Sequence, residues 1–93
     1  MAYRVLVEDG AAREIKKLPK HVQRQVVPKL EALALNPRPP GSQQLKGAED
    51  LYRVRSGDYR IVYRVKDDVL LVLVVSVGDR SQVYERLRRA GWL

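Results

Sequence analysis

The 93-residue chain sets eighteen Lys and Arg against eleven Asp and Glu, a formal charge of +7, on a composition that is 45% hydrophobic and 31% charged. That length allows one domain with a modest core, too apolar for a disordered basic tail, and the charge points to a polyanionic partner, either nucleic acid or an acidic protein. The absence of cysteine removes disulfide and thiolate chemistry, and His21 alone leaves little for a transition-metal site, so no metal and no cofactor is expected. The longest apolar run, Val69 to Val75, falls far short of the ~20 residues of a spanning helix. The opening MAYRVLVEDG lacks a signal-peptide layout. No membrane partner and a cytoplasmic location are therefore expected.

In chain order, Tyr3, Val5 and Val7 alternate with Arg4 and Glu8 and predict a first strand. Asp9 is placed to cap a short helix carrying Ala11, Ala12, Ile15 and Leu18, which Pro19 ends. The same proline fits the first position of a second helix, where its missing N–H costs nothing. There Val22, Val26, Leu30 and Leu33 form one apolar stripe flanked by Lys20, Arg24, Lys29 and Glu31. Pro28 lies within it and predicts a kink or a late start, since an interior proline costs ~3 kcal/mol. The Pro/Gly-rich segment Asn36 to Gln44 reads as the crossing from helices to sheet.

The stretch LYRVRSGDYRIVYRV, Leu51 to Val65, alternates as a hairpin around Gly57-Asp58, with glycine first as a type II′ turn requires. A two-residue loop pairs Ser56 with Tyr59 and Arg55 with Arg60. Arg53, Arg55, Arg60, Val62 and Arg64 then share one face, and Tyr52, Val54, Ile61, Tyr63 and Val65 the core face. A three-residue turn would move Arg60 to the core side, so the hydrophobic pattern itself selects the register. The continuous run VLLVLVVSV, Val69 to Val77, predicts an inner strand covered on both faces. Asp79 with Gln82 forms a candidate capping box for a last helix, in which Val83 and Leu87 dock and Arg86, Arg88 and Arg89 face water. The expected fold class is α+β, in the order β-α-α-β-β-β-α. Its mainly antiparallel four-stranded sheet carries two N-terminal helices on one face and a short C-terminal helix.

Directly opposed like charges such as Arg55 and Arg60 destabilise a sheet. The plain explanation is a solvated outer face with Asp58, Asp67 and Asp68 as partial partners. Against it, eight of the nine cations after residue 50 are arginine, whose planar fork matches phosphate oxygens. A phosphate-binding sheet face is the alternative.

The segments LKG at 45 to 47, LYRVRSGDYRIVYRV at 51 to 65 and VGDRSQVYERL at 77 to 87 resemble the RelE branch of the RelE/ParE toxin superfamily, over nearly the whole chain. The resemblance implies the toxin of a type II toxin–antitoxin system, a ribosome-dependent endoribonuclease that cuts A-site mRNA. Its implied partners are a RelB-like antitoxin and the ribosome with its mRNA, including 16S rRNA contacts. By position it assigns catalytic roles to Arg53, Arg55, Arg60, Arg80 and Tyr84, and Arg64, Lys46 and Arg88 extend the basic face as RNA-binding candidates. The implied reaction is attack of a 2′-OH on its adjacent phosphate, leaving a 2′,3′-cyclic end. That step needs a base, charge neutralisation at phosphorus and a proton for the departing 5′-oxygen.

Guanidinium groups supply the charge but not the base, because arginine keeps its proton below pH ~12. The well-known RelE pattern has lysine at the positions of Arg53 and Arg55. Here Glu49, Asp50 and Asp79 are the carboxylate candidates for the base, each with a plainer role as surface residue or helix cap. Tyr84 is either a stacking platform for a base or a helix residue half-buried beside Val83 and Leu87, and helical spacing favours an exposed ring. His21 reads as a surface residue, and Trp92 as the anchor of the C-terminal tail. Two other functions stay open: a ParE-like DNA gyrase inhibitor, and a catalytically weak RNA- or antitoxin-binding module.

Overall fold

The computed structural model describes residues 2–93. Strand β1 (Arg4–Val7) leads into α1 (Asp9–Lys16) and α2 (Lys20–Ala32), followed by β2 (Gln43–Gln44), β3 (Leu51–Ser56), β4 (Tyr59–Lys66), β5 (Leu71–Asp79) and α3 (Arg80–Arg89). The strands form one sheet in the order β1-β5-β4-β3-β2.

The sheet has five strands rather than four, and it is mixed. β1 runs parallel to β5, with Arg4 opposite Leu71 and Val7 opposite Val74, while the other pairings are antiparallel. The added strand, β2, is only two residues long and pairs Gln43 with Arg53 and Gln44 with Tyr52. The parallel pairing follows from the helical crossover, since α1 and α2 return the chain across one face before β3 begins.

Val22, Val26, Leu30 and Leu33 of α2 and its C-terminus pack with Ala11 against Val54, Ile61, Tyr63, Val65, Val72, Val74 and Val77 of the sheet. This is the main core, and it uses the hairpin face expected to be apolar. Burying side chains of this kind contributes roughly 1.5–3 kcal/mol each before conformational entropy is subtracted. The opposite face carries a second, smaller core of Leu51, Val62, Val75, Val83 and Leu87, with Trp92 packed beside it. β5 is thus covered on both faces by α1/α2 and α3, which accounts for its apolar run, but the strand starts at Leu71 rather than Val69: Asp67–Val69 form a 3-10 turn that leaves Val69 exposed, and Leu70 takes a left-handed φ of 51°.

Local details depart from expectation at three points. Glu8, not Asp9, holds the N-cap position of α1 and makes no side-chain cap. The Glu8 backbone N–H is committed to Val74 O at 2.9 Å, which carries the strand one residue further and leaves Asp9 as an acid in the first helical turn. Pro19 caps α2 from outside rather than opening it, and Pro28 stands inside an unbroken helix. Pro28 is exposed, so water can replace the hydrogen bond it omits.

The loop after α2 is pinned to the sheet by aromatic and charged groups. The Arg38 guanidinium forks onto Asp67 at 3.1 and 2.8 Å, donates to Tyr52 Oη at 3.1 Å and lies 5.0 Å over the Tyr52 ring. Tyr63, stacked on Tyr52, donates its buried hydroxyl to Pro37 O at 2.8 Å. No helix among the described residues is long and apolar enough to cross a membrane.

Candidate functional site

The hairpin turn is the first element of the site. Gly57 adopts φ +59° while Asp58 stays out of the left-handed region, the signature of a type II′ turn. The observed pairs are Ser56 with Tyr59, Arg55 with Arg60 and Arg53 with Val62. The register read from the alternation is the register found, and it sets two guanidinium-bearing residues directly across from each other.

The second element is α3, which starts immediately after β5. Asp79 caps it, its Oδ1 accepting from the Gln82 N–H at 2.9 Å. The reciprocal arm of the expected capping box is absent, because the Gln82 side chain accepts instead from Arg86. Capping at Asp79 places Arg80 at the head of the helix. One turn on, Tyr84 and Arg88 follow on the stripe beside Val83 and Leu87.

Hairpin tip and helix start enclose an open concavity of about 750 Å³ lined by Arg55, Gly57, Asp58, Arg60, Asp79, Arg80, Ser81, Tyr84 and Arg88. Four of the five residues assigned catalytic roles are therefore gathered here, together with Arg88. Arg53 stands on the same face and adds its field to that at Arg60, while its Nη2 donates to Gln43 Oε1 at 2.7 Å. Tyr84 is half-buried against the second core rather than fully exposed. Its ring lines the concavity and packs on the protein at once, which unites the two roles that its sequence position left open.

Arg60 is the unusual member. Only 7% of it is exposed, and its side chain makes one hydrogen bond within the chain, from Nη1 to Tyr59 O at 3.4 Å. Burial, then Arg55, then Arg53, push its proton affinity below the usual arginine value, with Arg80 adding to the effect. Among the described residues the ion pairs go elsewhere, to Arg38, Arg64, Lys66, Arg86 and Arg89. Asp67, expected as a partial partner of the basic face, is engaged by Arg38 and Tyr3. A guanidinium partly withdrawn from water, crowded by other cations and without a counterion, favours the arrival of an anion to pair with it.

Two of the expected RNA-binding residues are not brought to this group. Arg64 lies at the far end of the same face, where Nε and Nη2 reach Asp50 Oδ2 at 2.7 and 2.5 Å and Cζ lies 5.3 Å from the Trp92 ring centroid. It ties the C-terminal tail to the sheet. Lys46 is exposed in the turn before β3, outside the concavity.

Of the carboxylates considered for the base, Asp79 is spent on capping. Hydrogen bonds from the Gln82 N–H and Ser81 hold its carboxyl below the usual range and weaken it as a proton acceptor. Asp50 is paired with Arg64, and Glu49 lies outside the concavity. Asp58, expected as a turn residue and a partial charge partner, lines the concavity beside Arg55 and Arg60. Its place in the turn between two cross-paired arginines was the available signal.

Comparison with known proteins agrees with this fold. Residues 5–84 match the family described as ParE toxin of type II toxin-antitoxin system, parDE. The mRNA interferase toxin RelE of Escherichia coli is 39% identical over 88 residues, covering 90% of this chain and 92% of that protein. A mutant E. coli toxin RelE solved in the free state superposes with a TM-score of 0.78 at 35% identity, over 97% of this chain and 98% of that one. The toxin of the intact E. coli RelBE toxin-antitoxin complex gives 0.74 at 35% identity, over 86% and 99%. A family match over residues 5–84, with relatives of 39% identity across nearly their whole length, means that this chain belongs to the RelE/ParE family of toxins of type II toxin–antitoxin systems.

Proposed function

We propose that this chain is a ribosome-dependent mRNA endoribonuclease that inhibits translation and is held in check by a RelB-like antitoxin. The single observation that carries the proposal is Arg60, a residue only 7% exposed whose guanidinium has no acidic partner among the described residues and lines a concavity with Arg55, Arg80 and Tyr84. An RNA phosphate is the anion that such a site lacks. Its non-bridging oxygens gain negative charge as the 2′-oxygen attacks, and fixed guanidinium groups stabilise that charge more than they stabilise the ground state. Arg53 and Arg88 extend the cationic track for the flanking backbone, and the half-buried Tyr84 ring offers a stacking surface for a base.

The 2′-OH loses its proton as the 2′-oxygen bonds to phosphorus, the bond to the 5′-oxygen breaks, and that oxygen takes up a proton, leaving a 2′,3′-cyclic phosphate and a free 5′-OH. Arginine cannot take the first proton. Positioning of the nucleotide by the ribosome reduces how much base catalysis is needed. The relatives named mRNA interferase support the same reaction class.

An antitoxin segment with acidic side chains fits the same uncompensated charge. A gyrase-directed toxin of the same fold has the ParE family description in its favour. The gathered arginines and tyrosine favour RNA chemistry instead. The test is expression in growing bacteria: the unaltered chain should arrest growth and truncate mRNA within reading frames, and an Arg60→Met/Arg80→Ala double variant should do neither while remaining folded. Arrest with intact mRNA and inhibited supercoiling would move the assignment to gyrase.

A further inference from the structure

α3 brings Arg80, Tyr84 and Arg88 to the concavity, yet of its residues only Val83 and Leu87 are buried. A helix this short is marginal by itself in water, so its place depends on tertiary tethers. One tether crosses the edge of the sheet. β1 flanks β5 only as far as Val74, and α1 lies along the remainder, leaving a cleft of about 510 Å³ between α1 and α3.

Glu14 projects into this cleft from α1, its side chain 16% exposed. It receives the hydroxyl of the buried Ser76, whose Oγ is 3.2 Å from both carboxylate oxygens, and it pairs with Arg86 Nη1 from α3. Arg86 is braced within its own helix, Nη2 donating to Gln82 Oε1 at 3.3 Å. Gly78 leaves the path open. A Cβ there would come within 3.1 Å of Arg86 Nη1 and 3.5 Å of Val83 Cγ2.

We propose that Glu14 and Arg86 form a latch that fixes α3 along the open end of β5 and thereby sets Arg80 and Tyr84 over Arg60. Both are positioning residues, since neither lines the concavity. The catalytic consequence rests on the nuclease function proposed above; the hold on α3 does not. Removing Arg86 strands a nearly buried carboxylate, whereas removing Glu14 frees an Arg86 side chain that is 43% exposed and takes from α3 its anchor on α1.

The test is amide hydrogen exchange combined with single-turnover cleavage on programmed ribosomes. In Glu14→Gln and in Arg86→Gln, amides of α3 should exchange about tenfold faster while those of β4 keep their rates. The cleavage rate at saturating ribosome should fall by a similar factor with unchanged half-saturation, and Arg86→Lys should recover most of it. Trp92, the only tryptophan, packs beside α3 and reports the same loosening by fluorescence. Should Glu14→Gln fail to fold, Arg86→Gln decides, because Arg86 is the more exposed partner. Unchanged exchange on α3, or faster exchange with undiminished cleavage, would overturn the latch. An unaltered chain that cuts no mRNA would overturn the nuclease assignment alone, and exchange on α3 would then decide the latch by itself.

Discussion

Arg60→Met should move stability and activity in opposite directions. In the free protein Arg60 is 7% exposed, lacks an ion pair and stands across the ladder from Arg55, so the folded state carries a desolvation cost and a like-charge repulsion. Methionine keeps most of the aliphatic packing and removes both. Directly opposed like charges on a sheet are worth roughly 0.2–1 kcal/mol, and relief of partial desolvation adds to that. A net gain of about 1 kcal/mol is expected, seen as a rise of roughly 4–8 °C in Tm for a domain of this size. Cleavage should fall about 10²–10³-fold, the usual consequence of losing one preorganised donor to a developing oxyanion. Urea melts and single-turnover cleavage on the same preparation measure both. A variant destabilised by 1 kcal/mol or more that cuts at the unaltered rate would refute the view of Arg60 as an uncompensated, anion-seeking cation.

Three further outcomes follow from the same structure. Ser56 Oγ is buried without a hydrogen-bond partner, so Ser56→Ala should be neutral or stabilise by up to about 1 kcal/mol in chemical denaturation; a loss of that size would mean the hydroxyl is satisfied. Arg38, then Tyr3, hold the Asp67 carboxyl at about 2, below its ordinary 3.8. A depressed folded-state pKa contributes stability that is complete above 3.8 and lost as pH falls through about 2, so the Tm difference between the unaltered chain and Asp67→Asn should shrink across that window and stay constant above pH 5. Binding of a single-stranded RNA oligonucleotide should weaken with salt at a slope of about −3.5 in log K against log[salt], as expected if Arg53, Arg55, Arg60, Arg80 and Arg88 meet phosphates, and Arg80→Ala should reduce the magnitude of that slope by about 0.7. A slope near zero would contradict phosphate contact.

The hairpin was fully legible in the sequence because three local signals agree there. The alternation of Tyr52, Val54, Ile61, Tyr63 and Val65 defines a face, Gly57-Asp58 defines the turn, and together they fix Arg55 opposite Arg60. The cap at Asp79 was legible for the same reason, its partner being three residues away. What escaped is long-range or patternless. Gln43 and Gln44 form a strand too short to show a period. The parallel pairing of β1 with β5 joins segments at opposite ends of the chain.

Among site residues, Arg64 shares the basic face by period, yet Asp50 and Trp92 claim it, which depends on where the tail folds back. Asp58 reads from the sequence as a turn residue and a charge partner, and α3 makes it a wall of the concavity. Glu14 meets Arg86 across 72 residues of sequence, a contact that local pattern cannot anticipate.

The most direct test of the central claim is in vitro. Purified chain is incubated with end-labelled mRNA on programmed ribosomes and, in parallel, with the same mRNA free in solution, and the products are mapped by primer extension. Discrete cuts at the A-site codon should appear only when ribosomes are present, with 2′,3′-cyclic phosphate ends. Intact mRNA in both reactions, from a folded chain that has the unaltered arginines, would contradict that claim.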